Sequence, residues 1–371
     1  MSIVSENTSA TTPQFFLSKE LQDRRMVRGW LYFCALVLLT LVVVGGATRL
    51  TDSGLSITEW KPIHGVIPPL NAAQWQEELE KYRQIPEYQL INKGMSMSEF
   101  QFIFWWEWGH RFLARALGLV VALPLAFFWI TGRLDSRLKL PLVGLFALGG
   151  LQGFIGWWMV SSGLTERVDV SHYRLATHLC MAALILGVMI WIARGIAPHA
   201  ADLKPTQNAH FAAGIISVLV FFQIYLGALV AGLDAGLVFN QWPRMGLGFY
   251  PGEMWEETIG WLNLIENPAI VQFVHRIGAY VLLAAVLIHA IVFWRHAPGS
   301  THAWRAAMLA FLVICQAIVG IVTLVMFVPL NWALVHQGLA FVVLAFAVAH
   351  WRGLVGSLPL ANGQPHQHAS S

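Results

Sequence analysis

Four histidines near the ends of long apolar stretches could ligate iron or another metal. They form two pairs, His110 with His178 and His275 with His336. Ionisable side chains at membrane depth are costly and are therefore candidates for function. One histidine from each of two facing helices is how a four-helix bundle ligates a haem iron. The two pairs therefore predict two bis-histidine haem sites.

Simpler interpretations of these histidines stay open. Each could be a hydrogen-bonded structural residue at a helix end, although a duplicated pattern favours ligation. A zinc site would need a third or fourth ligand, and no Cys, Asp or Glu accompanies His275 and His336. His172 could serve the first site, but a solvated interfacial position is favoured. No ligand role is assigned to the others, which are His64, His199, His210, His289, His296, His302, His350, His366 and His368.

An arginine directly follows the first histidine of each pair. Arg111 follows His110, and Arg276 follows His275. A guanidinium binds a carboxylate through a two-pronged contact, so both arginines are candidates to bind haem propionates. The alternative is that they extend along the apolar surface to the lipid headgroups.

A carboxylate distinguishes the first pair from the second. Glu107 stands three residues before His110, whereas Gln272 stands three residues before His275. Residues at i and i+3 share a helix face, so both side chains are predicted to face their site. A carboxylate there can move protons or stabilise positive charge, which an amide cannot. We therefore expect chemistry at the first site and an auxiliary, electron-passing haem at the second, unless Glu107 is solvated or pairs with Arg111.

The composition indicates a membrane protein with several spans. Of 371 residues, 57% are hydrophobic and 12% are charged, and the mean hydropathy is +0.59. A soluble domain carries about 25% charged residues. The net charge is only +3 and no basic run could follow phosphates, so nucleic acid is not an expected partner. Cys34, Cys180 and Cys315 each lie inside an apolar run, which predicts neither a disulfide framework nor a thiolate metal site.

The predicted fold class is an all-α membrane protein with eight transmembrane helices. Each apolar stretch has roughly 20 residues, enough to span a bilayer. Pro329 separates the last two stretches, which favours a hairpin turn over one long helix. The stretches fall near residues 30–47, 112–130, 140–160, 175–193, 211–232, 270–294, 306–328 and 332–355.

The two halves of the chain repeat each other. A Gly-x6-Asp-x-Gly-Leu pattern contains Asp52 in the first half and Asp234 in the second, and Gln152 has a counterpart in Gln316. The histidines follow in the same order in both halves. Because four spans separate the copies, both have the same orientation in the membrane. The repeat therefore predicts two pseudo-symmetric four-helix bundles related by an axis along the membrane normal.

Basic residues in the short connections predict the orientation. They all fall on one side of the membrane, which is the cytoplasm by the positive-inside rule. Both termini are then cytoplasmic, and the long loops 50–106 and 233–269 are outside. No apolar core precedes Arg24, so no signal peptide is predicted, and a bacterial inner membrane is the simplest location. The residues concerned are Arg24, Arg25, Arg28, Arg133, Arg137, Lys139, Arg194, Lys204, Arg295, Arg305 and Arg352.

These boundaries divide the chain into four parts. Residues 1–28 are a cytoplasmic segment, residues 29–200 the N-terminal half with loop 50–106, and residues 201–355 the C-terminal half with loop 233–269. Residues 356–371 are a polar tail that is expected to be disordered.

Across residues 28–355 the chain resembles the haem A synthase family, of the proteobacterial and mitochondrial type. The resemblance rests on residues 48–70, EWGHR at 107–111, HYRLATH at 172–178, NQWPRMG at 240–246, HRIG at 275–278 and HQG at 336–338. One departure is that some bacterial members carry a cysteine pair in the first outer loop, whereas residues 50–106 contain no Cys. A thiol-assisted step is therefore not expected in this chain.

The resemblance implies an enzyme that oxidises the ring-D methyl group of haem o to the formyl group of haem a. The implied route is two hydroxylations to a geminal diol, which loses water. Haem b is implied between His275 and His336 and the substrate haem between His110 and His178, with Glu107 catalytic. Haem a would pass to terminal cytochrome oxidase, and the implied partners are haem o, an electron donor, haem O synthase, oxidase assembly factors and membrane lipid.

Two alternative functions stay open. A dihaem membrane cytochrome b would only transfer electrons, for example to or from quinone. It would need no difference between Glu107 and Gln272, which is the feature that separates the two hypotheses. A duplicated transporter that couples protons through histidines is the second alternative, and haem content would exclude it.

Overall fold

The fold is all-helical in the computed structural model, which describes residues 12–61, 64–197, 208–251 and 254–360. Apart from one bridge between Met245 and Gly248, these residues contain no strand pairing. The α-helices are α1 (Thr12–Leu50), α2 (Ala72–Tyr82), α3 (Pro86–Leu90), α4 (Met97–Ile130), α5 (Ser136–Ser161), α6 (His172–Gly195), α7 (Ala209–Gly232), α8 (Asn263–Glu266), α9 (Pro268–His296), α10 (Thr301–Val325) and α11 (Leu330–Val355).

Eight of these helices are long and apolar enough to cross a membrane, which confirms the predicted fold class. They are α1, α4, α5, α6, α7, α9, α10 and α11. The predicted hairpin before α11 is also present. Phe327 and Val328 adopt left-handed backbone conformations, and the Val328 N–H donates to the Thr323 carbonyl at 2.8 Å. Pro329 then precedes the first turn of α11.

One predicted boundary is wrong, because α4 begins well before the apolar stretch 112–130. The Ser96 hydroxyl accepts from the Glu99 N–H, and the Glu99 side chain accepts from the Ser96 N–H. This capping box satisfies the first N–H groups and starts the helix at polar residues that hydropathy alone assigns to a loop. Glu107 and His110 therefore lie inside a helix, where their directions are fixed.

Helix contacts follow the predicted repeat. In the first half, α1 packs on α4 and α6, and α5 packs on α6. In the second half, α7 packs on α9 and α11, and α10 packs on α9 and α11. The halves meet through α6 with α7, α6 with α11, and α1 with α11. This pattern fits the predicted pair of four-helix bundles, with one apolar core extending across both halves.

Two ordered segments connect the spans on the side of the site histidines. We call residues 51–96 the first lid and residues 233–267 the second lid. The first lid contains the predicted surface helix α2, capped by the Asn71 side chain, and packs on α4 through a cluster that includes Tyr82 and Phe100. Arg49, at the end of α1, donates to Asp52 at 3.1 Å and to Asp234 at 3.0 Å, so one guanidinium joins the equivalent aspartates of both halves.

The described start of the tail is ordered, contrary to the expectation for residues 356–371. The Leu358 N–H donates to the Gly195 carbonyl at 2.7 Å. Arg24 donates to the carbonyls of Leu358 and Pro359 at 2.9 and 2.7 Å. These bonds fasten residues 357–360 to α1 and α6. Residues 361–371, including His366 and His368, and residues 198–207, including His199, lie outside the described residues.

Candidate active site

Each of the four site histidines packs against a glycine on a neighbouring helix. A Cβ atom added at these glycines would lie between 2.6 and 3.2 Å from the nearest imidazole atom. Any larger residue would therefore push the ring out of place. The contacts are Gly45 on α1 with His110, Gly156 on α5 with His178, Gly227 on α7 with His275, and Gly320 on α10 with His336.

The fold brings His275 and His336 together. The ring centroids of His275 and His336 are 6.5 Å apart at 80°. A metal–imidazole bond of about 2 Å on each side of one iron would place the centroids roughly 6 Å apart. His110 and His178 lie within electrostatic range of each other. Within the described residues, no group of three His, Cys, Asp or Glu side chains could hold a metal ion, so the donor sets fit haem iron better than zinc.

Three glutamines hold three of these histidines, a feature that the sequence analysis missed. Each amide nitrogen donates to the main-chain carbonyl of its histidine and lies 3.0 to 3.4 Å from a ring nitrogen. The sequence contains a repeated Gln-x-x-x-Gly pattern that indicates this role. Residues four apart share a helix face, so the glutamine and the glycine can contact the same histidine. The main-chain contacts are Gln152 with His178 at 3.1 Å, Gln223 with His275 at 2.9 Å, and Gln316 with His336 at 2.9 Å.

Glu107 is buried and fully hydrogen-bonded. It is 3% exposed, so it is not solvated in a loop. Its Oε1 accepts from Arg111 at 2.6 Å. Its Oε2 accepts from the Ser56 hydroxyl at 2.8 Å and from the Ile57 N–H at 2.7 Å. The alternative of pairing with Arg111 is therefore present, and the carboxylate also fastens the first lid to α4.

Gln272 occupies the matching place in the second half. Its Oε1 accepts from Arg276 at 3.0 Å, and its Nε2 donates to the carbonyls of Ala235 and Phe239 in the second lid. Both residues thus hold a lid and an arginine one turn further along their helix. The difference is one of polarity and charge, since the carboxylate only accepts whereas the amide donates to its lid.

Arg111 and Arg276 extend beneath the lids. Arg111 donates to the carbonyls of Ile57 and Glu59 at 2.9 and 3.2 Å. Arg276 donates to the carbonyls of Phe239 and Arg244 at 3.1 and 3.2 Å. These contacts leave the buried Nε–H of Arg276 without a partner among the described residues, which is a donor that a propionate could use. Binding of propionate by either arginine stays a prediction.

The favoured interpretation of His172 as a solvated residue is wrong. Its side chain is 7% exposed, and its Nε2 lies 3.4 Å from Glu266 in the second lid. Gly232, at the end of α7, packs directly against it. His172 is buried because the first turn of α6 meets both α7 and the second lid, so it lies between the two halves.

A second buried histidine pair lies further along the same helices as His275 and His336. The Nε2 atoms of His289 and His350 are 3.0 Å apart, and both side chains are buried. This distance suits a hydrogen bond between two imidazoles. It is shorter than the roughly 4 Å that two bonds of about 2 Å to one iron require. In this arrangement the two imidazoles are partners of each other.

The first lid contains a buried carboxyl group, Glu87, that is 5% exposed. The pKa of Glu87 is raised to about 8, mainly by burial; a hydrogen bond from the Tyr82 hydroxyl lowers it, and the charges of Asp52, Asp169 and Glu107 raise it. Burial also raises the pKa of Asp52. The lid therefore contains a carboxyl group that is mostly protonated at neutral pH.

Comparisons with known proteins agree with the motifs. A family model described as "Cytochrome oxidase assembly protein", COX15-CtaA, matches residues 28–348. Proteins named "Heme A synthase" from Rhizobium meliloti and Agrobacterium fabrum are each 58% identical, over 91% and 92% of this chain and 92% and 94% of theirs. One from Rhizobium etli (strain CIAT 652) is 57% identical over 95% of this chain and 96% of its own. The chain therefore belongs to the COX15-CtaA family of cytochrome oxidase assembly proteins, the haem A synthase family that its motifs resemble.

Proposed function

We propose that this enzyme converts haem o to haem a by oxidising the ring-D methyl group to a formyl group. The observation that carries the proposal is the difference between two otherwise matching sites. Both halves have a pair of histidines seated on glycines and an arginine beneath a lid. Only the first half adds a buried carboxylate, Glu107. The names and the high identity of the curated relatives support the same activity.

The substrate haem binds in the first half and haem b in the second. His110 and His178 ligate the substrate iron, and His275 and His336 ligate the iron of haem b. Held by these two histidines, haem b would supply one-electron chemistry. The 6.5 Å separation of the His275 and His336 rings supports a permanent site there.

Glu107 stabilises positive charge and accepts a proton as the methyl group is oxidised. Two hydroxylations by an external oxidant give a geminal diol, and loss of one water gives the formyl group, so the oxidant accepts the four electrons that the carbon loses. Arg111 and Ser56 hold the Glu107 carboxylate in one place beneath the first lid. A group held in this way does not need to reorganise during the reaction. Arg111 and Arg276 position the lids and bind propionates with their remaining donors.

The enzyme works in a bacterial inner membrane with both termini in the cytoplasm and both lids outside. Haem O synthase would supply the substrate, and cytochrome oxidase assembly factors would receive the product, in agreement with the description of the family. An electron donor and membrane lipid complete the set of partners. A dihaem cytochrome b, the main alternative, would need no difference between Glu107 and Gln272.

Expression in a bacterium that makes haem o but no haem a tests the function. Haem extracted from cells that produce this chain should contain haem a, identified by chromatography and mass. Cells that produce the chain with correct haem b content but contain only haem o would contradict the proposal. The variant His178→Ala is the matched control, because it should abolish haem a without removing haem b.

A further inference from the structure

Three of the four site histidines are held by a glutamine, and His110 is not. Gln152, Gln223 and Gln316 each lie four residues before the glycine that seats a histidine. In α1 the seating glycine is Gly45, and the residue four positions earlier is Leu41.

The equivalence of Leu41 and Gln223 rests on geometry as well as on sequence. Gly45 contacts the His110 ring as Gly227 contacts the His275 ring. Because Leu41 and Gln223 each lie one helical turn before these glycines, they occupy matching places beside their histidines. A leucine can neither donate nor accept a hydrogen bond. No described residue makes a hydrogen bond to the His110 ring.

No other amide replaces the missing glutamine in the first half. Another amide, that of Gln337 on α11, approaches this part of α1, and a Cβ added at Gly46 would meet its Oε1. The Gln337 amide nitrogen donates to the Val42 carbonyl at 2.9 Å and not to the His110 ring. It therefore holds the two halves together and does not orient the imidazole.

A partner on the second ring nitrogen fixes a ligand histidine and makes it a better donor to the metal. The side-chain oxygens of Gln152, Gln223 and Gln316 are buried without a partner among the described residues. Each amide nitrogen donates to the main-chain carbonyl of its histidine, so the glutamine holds that histidine through the main chain while its side chain packs beside the ring. Loss of such partners typically costs 10–100-fold in metal affinity.

We propose that Leu41 makes His110 the releasable ligand, so that haem enters and leaves the first half by exchanging its bond to His110 while His178 keeps hold of it. This inference rests on the proposed function, in which the first half must accept haem o and release haem a in every cycle. The second half keeps its haem b, and both of its histidines have a glutamine. Leu41, at the position where the second half has Gln223, thus distinguishes the substrate site from the cofactor site.

Release of ferric haem to excess apomyoglobin tests this inference, measured on purified chain to which haem b has been added as a probe that fills the first half. We expect a fast phase from the first half, identified by its absence in His110→Ala, and a slow phase from the second half. Leu41→Gln should slow the fast phase about 10-fold. The control Leu41→Met, which adds no hydrogen bond, should change it less than about twofold.

If a glutamine at position 41 disturbs α1, the opposite substitution in the second half still tests the inference. Gln223→Leu puts an apolar side chain in the second half and should speed the slow phase about 10-fold. Unchanged phases in both Leu41→Gln and Gln223→Leu would overturn the inference, as would a first half that releases haem no faster than the second. Absence of haem a from cells with the unaltered chain would instead overturn the proposed function.

Discussion

The Oε1 atom of Glu107 lies 2.6 Å from Nη2 of Arg111, one turn further along α4. The other carboxylate oxygen accepts from Ser56 and Ile57 in the first lid. The buried Glu107 side chain, which is the candidate proton acceptor, thus connects Arg111, the candidate propionate ligand, to the first lid. In the second half, Gln272 has the same connections without the charge.

Glu107→Gln should abolish haem a formation while leaving haem b in place. An amide cannot accept the proton or offset positive charge, and removal of a general base costs about 10²–10⁴-fold in rate. Haem o or a hydroxylated intermediate should accumulate in extracts. The control Gln272→Glu should create no second active site. Near-normal haem a from Glu107→Gln would reduce Glu107 to a residue that only holds the lid.

The glycines that seat the imidazoles should be as necessary as the histidines. Gly320→Ala places a Cβ 2.6 Å from the His336 ring, so the ring must turn and low-spin haem b should be lost. Gly150→Ala on α5 is the matched control, because a Cβ there meets nothing within 4 Å. That change should stabilise its helix by up to about 1 kcal/mol. Equal haem b content and equal optical spectra in both variants would contradict the seating role.

Hydropathy was enough to predict the eight spans, and motif spacing was enough to predict that His275 and His336 lie close together. They misplaced the start of α4, because a capping box extends the helix through polar residues that hydropathy treats as a loop. They also placed His172 in solvent, because its neighbour Glu266 is distant in sequence. Gln223 was missed because its role appears only when it is aligned with Gln152 and Gln316.

The stability of the first lid should fall as pH rises. Burial raises the pKa of Glu87 from 4.5 to about 8, so between these values the folded lid keeps a proton that the unfolded lid has lost. The free energy of unfolding should therefore decrease across pH 4.5 to 8, by up to about 1.4 kcal/mol per pH unit, and then level off. The rate of protease cleavage within the first lid, measured at each pH, would report this free energy of unfolding. Glu87→Gln should flatten the profile, and an unaltered slope in that variant would contradict the assignment.

Reporter fusions should place both lids outside the cytoplasm. Glu80 in α2 and Glu257 in the second lid are exposed sites, so a fused domain should not disturb the packing. Alkaline phosphatase fused after either residue should be active, because the short basic connections stay in the cytoplasm. Alkaline phosphatase fused at Arg133, in the short connection between α4 and α5, should be inactive. Inactive phosphatase at Glu80 or Glu257 would contradict the orientation.

We propose that the two halves have different tasks, a claim that the haem content of two variants can test. His110→Ala and His275→Ala should be purified in parallel from cells that make haem o, and their haems identified by pyridine haemochrome spectra and extraction. We predict that His275→Ala loses the low-spin haem b and that His110→Ala keeps it but forms no haem a. Loss of the same haem from both variants, or a full complement of low-spin haem b in His275→Ala, would contradict the claim.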